Sequence, residues 1–486
     1  MIYWAQLFHF YQPPTQTPQV LEKICNESYR PLLDVLRQNP HIKATLNVNG
    51  VLLDMLHNHG HRDIINNLQS LGEKGKVEFT GSGKYHPILP LLPPAERKRQ
   101  IELNIAAGAH FLGKAYELKG FFPPEMCFSN DTLPEVITAD YQWIILSGVA
   151  CPNQWPVDKY YQVENKGKKI SVFFRDDILS NKISFKQTSA HDFLEQLKQM
   201  RGEKENIYVI TAMDAETFGH HVQNWENLFL RAAYEQIDPT RNTGDKIEQT
   251  RIEYAKEEPA AICPACGTRF LLVFSGKLPQ VGEVTCPNCQ AELKVDFKGT
   301  AKKDKEKTSQ STQGVKNTDQ SPQDIKTVTI SELTGLFPPG EVVAPKASSW
   351  STSAEDILAG NPYPLWRDKD NEIHRLQWEH LYLCIEIVNK AQECADSDEC
   401  KSLSEIARGL LDMAEYSCHF WWASRRPMWD MNLIQLGLID QWRAIVNAYR
   451  AINKSGANAE TKANYYHKVV ATRDIRNKIV DRLFIL

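Results

Sequence analysis

Over roughly its first half the chain switches again and again between short apolar runs and longer stretches whose apolar residues recur every three or four positions. That alternation admits few folds. Runs at 2–9, 44–49, 77–82, 120–124, 143–147, 171–175 and 207–213 read as strands, being short and rich in β-branched or aromatic residues. The segments between them have helical period: Leu32, Leu33, Val35 and Leu36 form one face, and Leu52, Leu53, Leu56, Ile64, Ile65 and Leu68 form another. Strands separated by helices pair in parallel, so the expected fold class is α/β, with an irregular seven-stranded (β/α)7 barrel over residues 1–244.

In such folds catalytic groups collect where the strands end. Polar residues recur at those ends here: His9 and Gln12, Asn47 and Asn49, Glu78, Glu125, Arg175 with Asp176, and Asp214 with Glu216. The stretch NIYVITAMDAETFGHH from Asn206 is the most telling, because a strand without a single charge runs into two carboxylates and a histidine pair. Glu125 closes GFFPPEMCFS, where two prolines fix the backbone just before the acid. Breaking a glycosidic bond takes one carboxyl to attack carbon or activate water and a second to protonate the leaving oxygen. Glu125 and Asp214, from different strands of one rim, are the expected pair. His86, ahead of a proline-rich turn in KYHPILPLLPP, is a candidate for the cleft wall.

Beyond Ile237 the pattern changes. Cys263, Cys266, Cys286 and Cys289 form two CPxC pairs, the spacing of a four-thiolate site with no position left for substrate, and a structural zinc ribbon is expected over 245–298, with iron in a rubredoxin-like site or a redox dithiol as the competing readings. A module that small has little core, and metal would supply much of its folding free energy. Residues 299–326 are Lys, Ser, Thr and Gln with few bulky apolar groups, the composition of a disordered linker. Residues 327–370 would return to line the barrel cleft. There Trp350 and Trp366 stand among Gly, Pro and Asn, and flat rings with a polar edge suit the CH-rich faces of sugars. From 371 to 486 the apolar period is helical throughout, and a bundle should place SCHFWWAS, Ser417 to Ser424, against the cleft.

A net charge of -4 gives no reason to expect nucleic acid or an anionic membrane as partner. The start MIYWAQLFHF lacks a basic n-region, and no run nears the roughly 20 apolar residues that span a bilayer, so a cytoplasmic protein is expected.

Five stretches together, HFYQPP at His9, GKVEFTGSGKYHP at Gly75, GFFPPEMCFS, AMDAETFGHH at Ala212 and SCHFWWAS, make the chain resemble glycoside hydrolase family 57. The resemblance implies a retaining α-amylase or 4-α-glucanotransferase that needs no catalytic cofactor and takes an α-1,4-glucan as substrate. It implies Glu125 as nucleophile, Asp214 as general acid/base, and His9, Gln12, Glu78, His86 and Trp421 as the lining of the sugar cleft. Tyr11 and Ala215 stand where many relatives have His and Gly. A non-catalytic glucan-binding or regulatory protein that uses the zinc ribbon to recruit a protein partner is the competing reading. A metal-dependent deacetylase built on His220, His221 and Asp214 is a third.

Overall fold

The computed structural model describes residues 1–117, 119–153, 155–238 and 324–485, together with the backbone of four short strands at 260–262, 269–271, 281–285 and 292–296. Seven parallel strands form the frame: β1 (Ile2–Phe10), β2 (Ala44–Val48), β3 (Val77–Gly81), β4 (Gly120–Phe121), β5 (Trp143–Leu146), β7 (Lys168–Phe174) and β8 (Ile207–Asp214). They lie in the order β8-β1-β2-β3-β4-β5-β7, an α/β half-barrel. Among the described residues β7 and β8 are not paired as strands. The gap is bridged by the Asp176 amide donating to Ile210 O and the Arg175 Nε donating to Ala212 O, both at 2.7 Å.

Three strands were not anticipated. β6 (Tyr160–Asn165) runs antiparallel to β7 through a two-residue turn in which Lys166 and Gly167 both have positive φ. That is hairpin geometry, written here with Lys-Gly in place of the usual Asn-Gly. β13 (Ile325–Val328) pairs with the first half of β1, on the edge whose second half pairs with β2. β14 (Pro339–Val342) pairs with β6. Conversely β4 is two residues long where five were expected, because Pro123 and Pro124 have no N–H to give a ladder.

The barrel interior is apolar below its rim: Ala5, Leu7, Trp143, Phe173, Ile210 and Ala212 pack there. A helix, Ile330–Leu336, plugs it from below with Ile330 and Leu333. The expected linker therefore ends earlier than residue 326, since Ile325 and Lys326 already belong to β13. The return segment first fills the barrel floor and reaches the rim only near Trp350, whose indole packs on that interior.

Four long helices, Glu372–Glu393, Asp398–Ala414, Met431–Lys454 and Ala459–Ile485, make the carboxy-terminal region. Buried charges tie it to the helix Pro94–Leu112. Arg408 pairs with Glu96 at 2.8 Å and Arg99 grips both oxygens of Asp412 at 2.6 and 2.7 Å. The barrel and these helices form one compact unit, Met1–Tyr234 with Ile325–Leu486. Residues Glu235–Asp324 form another, holding two antiparallel hairpins, β9 (Ala260–Ile262) with β10 (Arg269–Leu271) and β11 (Val281–Thr285) with β12 (Glu292–Asp296). Cys263, Cys266, Cys286 and Cys289, and most of the expected linker, lie outside the described residues.

Candidate active site

In a parallel ladder, residues at the same level point to the same face. His9 is level with Asp214 on one side and with Asn47 on the other, which sets the top layer of the barrel interior. His9 Nδ1 donates to Asn47 Oδ1 at 2.7 Å, and the ring stacks on Phe122 and on His86, each at 4.9 Å between ring centres. Tyr11 stacks on the other ring at 3.9 Å from His86. Burial holds both imidazoles neutral: His9 is pushed down to about 4, with Asn47 opposing, and His86 falls well below its ordinary value, with His9 adding to the effect.

Glu125 sits beside these rings on a strained turn. Its φ is +57° and that of Met126 is +49°, the left-handed region that costs a non-glycine residue about 1–2 kcal/mol. Pro123 and Pro124 supply the rigid approach to that turn. The conformation is fixed from the far side by Trp350, whose amide donates to Glu125 O at 3.1 Å and whose indole Nε1 donates to Oε2 at 2.8 Å. Among the described residues Oε1 has His86 Nδ1 at 3.7 Å, and since that imidazole is neutral the contact is not an ion pair. His86 Nδ1 meets Ser417 Oγ at 3.0 Å, and its carbonyl accepts the Ser417 amide at 3.1 Å. The helical region is thereby joined to the rim, with Tyr11 Oη 3.4 Å from Cys418 Sγ.

The two expected catalytic carboxyls feel each other. Glu125 is pushed up to about 8, first by burial and then by the charge of Asp214, against the Trp350 hydrogen bond. Asp214 is raised to about 6 by burial, with Arg175 pulling the other way. A third acid adjoins them. Glu216 is buried and raised to about 8 by burial and by Asp214, while its Oε1 accepts from the Tyr29 hydroxyl and, at 2.8 Å, from Gln12 Nε2. Gly219 follows, at a φ of +110° and against the Glu27 carbonyl, so a side chain there would collide with backbone.

Several expected cleft residues stand elsewhere. Gln12 is only 7% exposed and uses both ends of its amide, to Glu216 and from Gln16 at 2.9 Å, so it braces the third acid and is not presented to a ligand. Glu78 lies one layer below the rim, level with Thr45, and accepts from the Thr45 hydroxyl at 2.8 Å and the Ser331 amide at 3.1 Å. It caps the plug helix. Trp366 is 1% exposed, inside the core between barrel and helices, and its carbonyl accepts the Trp378 indole at 2.9 Å. Nothing in its Gly/Pro-rich context separates such a core ring from a surface one. Trp421 is part-buried, one turn beyond Cys418. Trp350 belongs to the site, but as the donor that holds Glu125. His220 is drawn to Glu27, at 2.6 Å.

Against this geometry stand the comparisons. A model of glycosyl hydrolase family 57 matches residues 6–257, just over half of the chain. The chain belongs to that family. It is similar to an α-amylase of Pyrococcus horikoshii, 28% identical over 49% of this chain and 37% of that protein. It is also similar to a 4-α-glucanotransferase of Thermococcus litoralis, 25% identical over 60% of this chain and 43% of that one. The chain thus spans about two fifths of the length of these curated relatives. A family 57 branching enzyme from Thermococcus kodakaraensis, solved in complex with glucose, shares the fold with a TM-score of 0.59, at 12% identity over 97% of this chain and 95% of that one.

Proposed function

We propose that this family 57 protein is a retaining glycoside hydrolase or transglycosylase acting on α-1,4-glucans, with Glu125 as nucleophile and Asp214 as general acid/base. The observation that carries the reading is the Trp350–Glu125 hydrogen bond beside a second carboxyl. Oε2 is held by the indole, and Oε1 remains free to form the glycosyl ester. When the glycosidic bond breaks, the pair must hold one proton, on Asp214, and one charge, on Glu125. In the free protein the higher value belongs to Glu125, so the proton must pass to Asp214 when substrate binds: the indole N–H favours the charge on Glu125, and a glycosidic oxygen hydrogen-bonded to Asp214 favours the proton there. Part-exposed Tyr11, backed by the buried His86 and His9 rings, offers a rigid face for a sugar ring. Asp214 then deprotonates water or a sugar hydroxyl, and which acceptor enters decides between hydrolysis and transfer.

Two substitutions test the assignment. Glu125→Gln and Asp214→Asn should each lower kcat on maltoheptaose by about 10³-fold or more with melting temperature kept near that of wild type. Turnover at the wild-type rate in either variant would refute it.

The same reading extends to the inserted unit, where the four cysteines of the two CPxC pairs hold a structural zinc. Each pair falls in the stretch that connects the strands of one hairpin, β9 to β10 and β11 to β12, as a two-knuckle site requires. Metal analysis of the purified protein should return about one zinc per chain. Replacing Cys263 and Cys286 by Ser should abolish it, and an unchanged zinc content would contradict the assignment.

A further inference from the structure

Arg175 follows the last residue of β7, at the seam that strand pairing leaves open. Its guanidinium is buried and every nitrogen is committed: Nε to Ala212 O at 2.7 Å, Nη1 to Asp177 Oδ1 at 2.8 Å and Nη2 to Asn181 Oδ1 at 2.9 Å. Asp177 pairs with the guanidinium, and the same carboxylate is held in place by the Ser147 hydroxyl at 3.0 Å and the Val149 amide at 2.9 Å. The flat group lies over the Trp350 ring, 6.0 Å from its centre. Ala212 is two residues before Asp214 on the same strand, and the charge of this cation pulls the Asp214 carboxyl down against burial. The charged or titratable groups around Asp214 are then Arg175, Glu125, Glu216 and, across the ladder, the neutral His9.

We propose that Arg175 is a positioning residue for both carboxyls, clamping the indole that holds Glu125 while its charge faces Asp214. The proposal rests on the functional reading above. A planar guanidinium pinned at three points restricts rotation of the ring beneath it, and a ring that cannot rotate keeps its N–H aimed at Oε2. The same charge stabilises ionised Asp214 in the second half of the reaction, when the acid has given up its proton. Because one side chain serves both groups, damage at Trp350 and damage at Arg175 should overlap.

The test is a double-mutant cycle of Arg175→Met and Trp350→Phe, read as the pH profile of kcat/KM on maltoheptaose, with melting temperatures alongside. Loss of the cation should move the alkaline limb up by about one pH unit, because the pair then keeps its last proton to higher pH. Trp350→Phe should lower kcat by about 10- to 100-fold in the wild-type background, the loss of one donor to the developing charge, and by much less in Arg175→Met. An alkaline limb that stays in place, or effects that simply multiply, would overturn the proposal, and so would a loss of melting temperature alone. If Arg175→Met does not fold, Arg175→Lys replaces it: the limb should stay while Trp350→Phe costs much less than in wild type, and an undiminished Trp350→Phe effect would count against the clamp. A wild-type protein inactive on maltoheptaose would condemn the functional reading instead. The titration of Asp214, followed by carbon-13 NMR of labelled aspartate, would then decide the electrostatic half by the same upward shift in Arg175→Met.

Discussion

The residue with the most unusual surroundings is Glu216. Burial, and after it the charge of Asp214, raise its carboxyl to about 8, against the pull of two donors, Tyr29 and Gln12. A carboxyl whose folded value lies above its unfolded one adds stability that is complete below about pH 4 and is lost as the pH climbs through the folded value. Glu216→Gln keeps an acceptor for Tyr29 and cannot ionise. It should match wild type near pH 4 and exceed it at pH 9 by roughly 1–3 kcal/mol in urea denaturation. A difference that is constant with pH would show that Glu216 titrates alike in the folded and unfolded chain, with no raised value. Gln12 was legible as a strand-end polar residue, but its partner lies 204 residues away, and a pairing of that kind leaves no mark in local sequence.

At the scale of elements, the parallel strands could be read because each carries its own apolar run, and Pro123 and Pro124 explain why β4 stops early. The strands that escaped notice depend on partners. β13 needs the lower half of β1 to complete it, and β14 needs β6. The plug helix Ile330–Leu336 is more instructive, since its start, Thr329 with Glu332, is a capping box written in the sequence, while its second cap is Glu78 from β3. Strand-end position alone made Glu78 resemble a ligand-facing acid, and the register puts it one layer too deep. Glu78→Ala would leave the Ser331 amide and the Thr45 hydroxyl without their acceptor, and the expected loss is about 1–3 kcal/mol. Equilibrium unfolding should show that loss with KM for maltoheptaose unchanged. A raised KM with unaltered stability would return Glu78 to the cleft.

For the molecule as a whole, the barrel and the helical region belong to one unit because a shared apolar core and buried charges on the helix Pro94–Leu112 join them, as does the His86–Ser417 contact at the rim. The chain carries its site across three distant stretches: Glu125 and Asp214 on the frame, Trp350 beyond the inserted unit, and Ser417 with Cys418 from the helices. Both acids stand out in the sequence as strand-end carboxyls, one after a Pro-Pro turn and one after a charge-free strand. The indole that holds one of them was legible only as an aromatic near the cleft. The central claim is that Glu125 Oε1 bonds to the anomeric carbon while Asp214 manages the proton. Fluoride leaves without acid assistance, so α-maltosyl fluoride should still load Asp214→Asn, whose ester then persists for want of a base. Peptide mass spectrometry of that variant should find a maltosyl adduct on Glu125. An adduct on another residue, or a fully unmodified Glu125 after the fluoride has been consumed, would contradict the account.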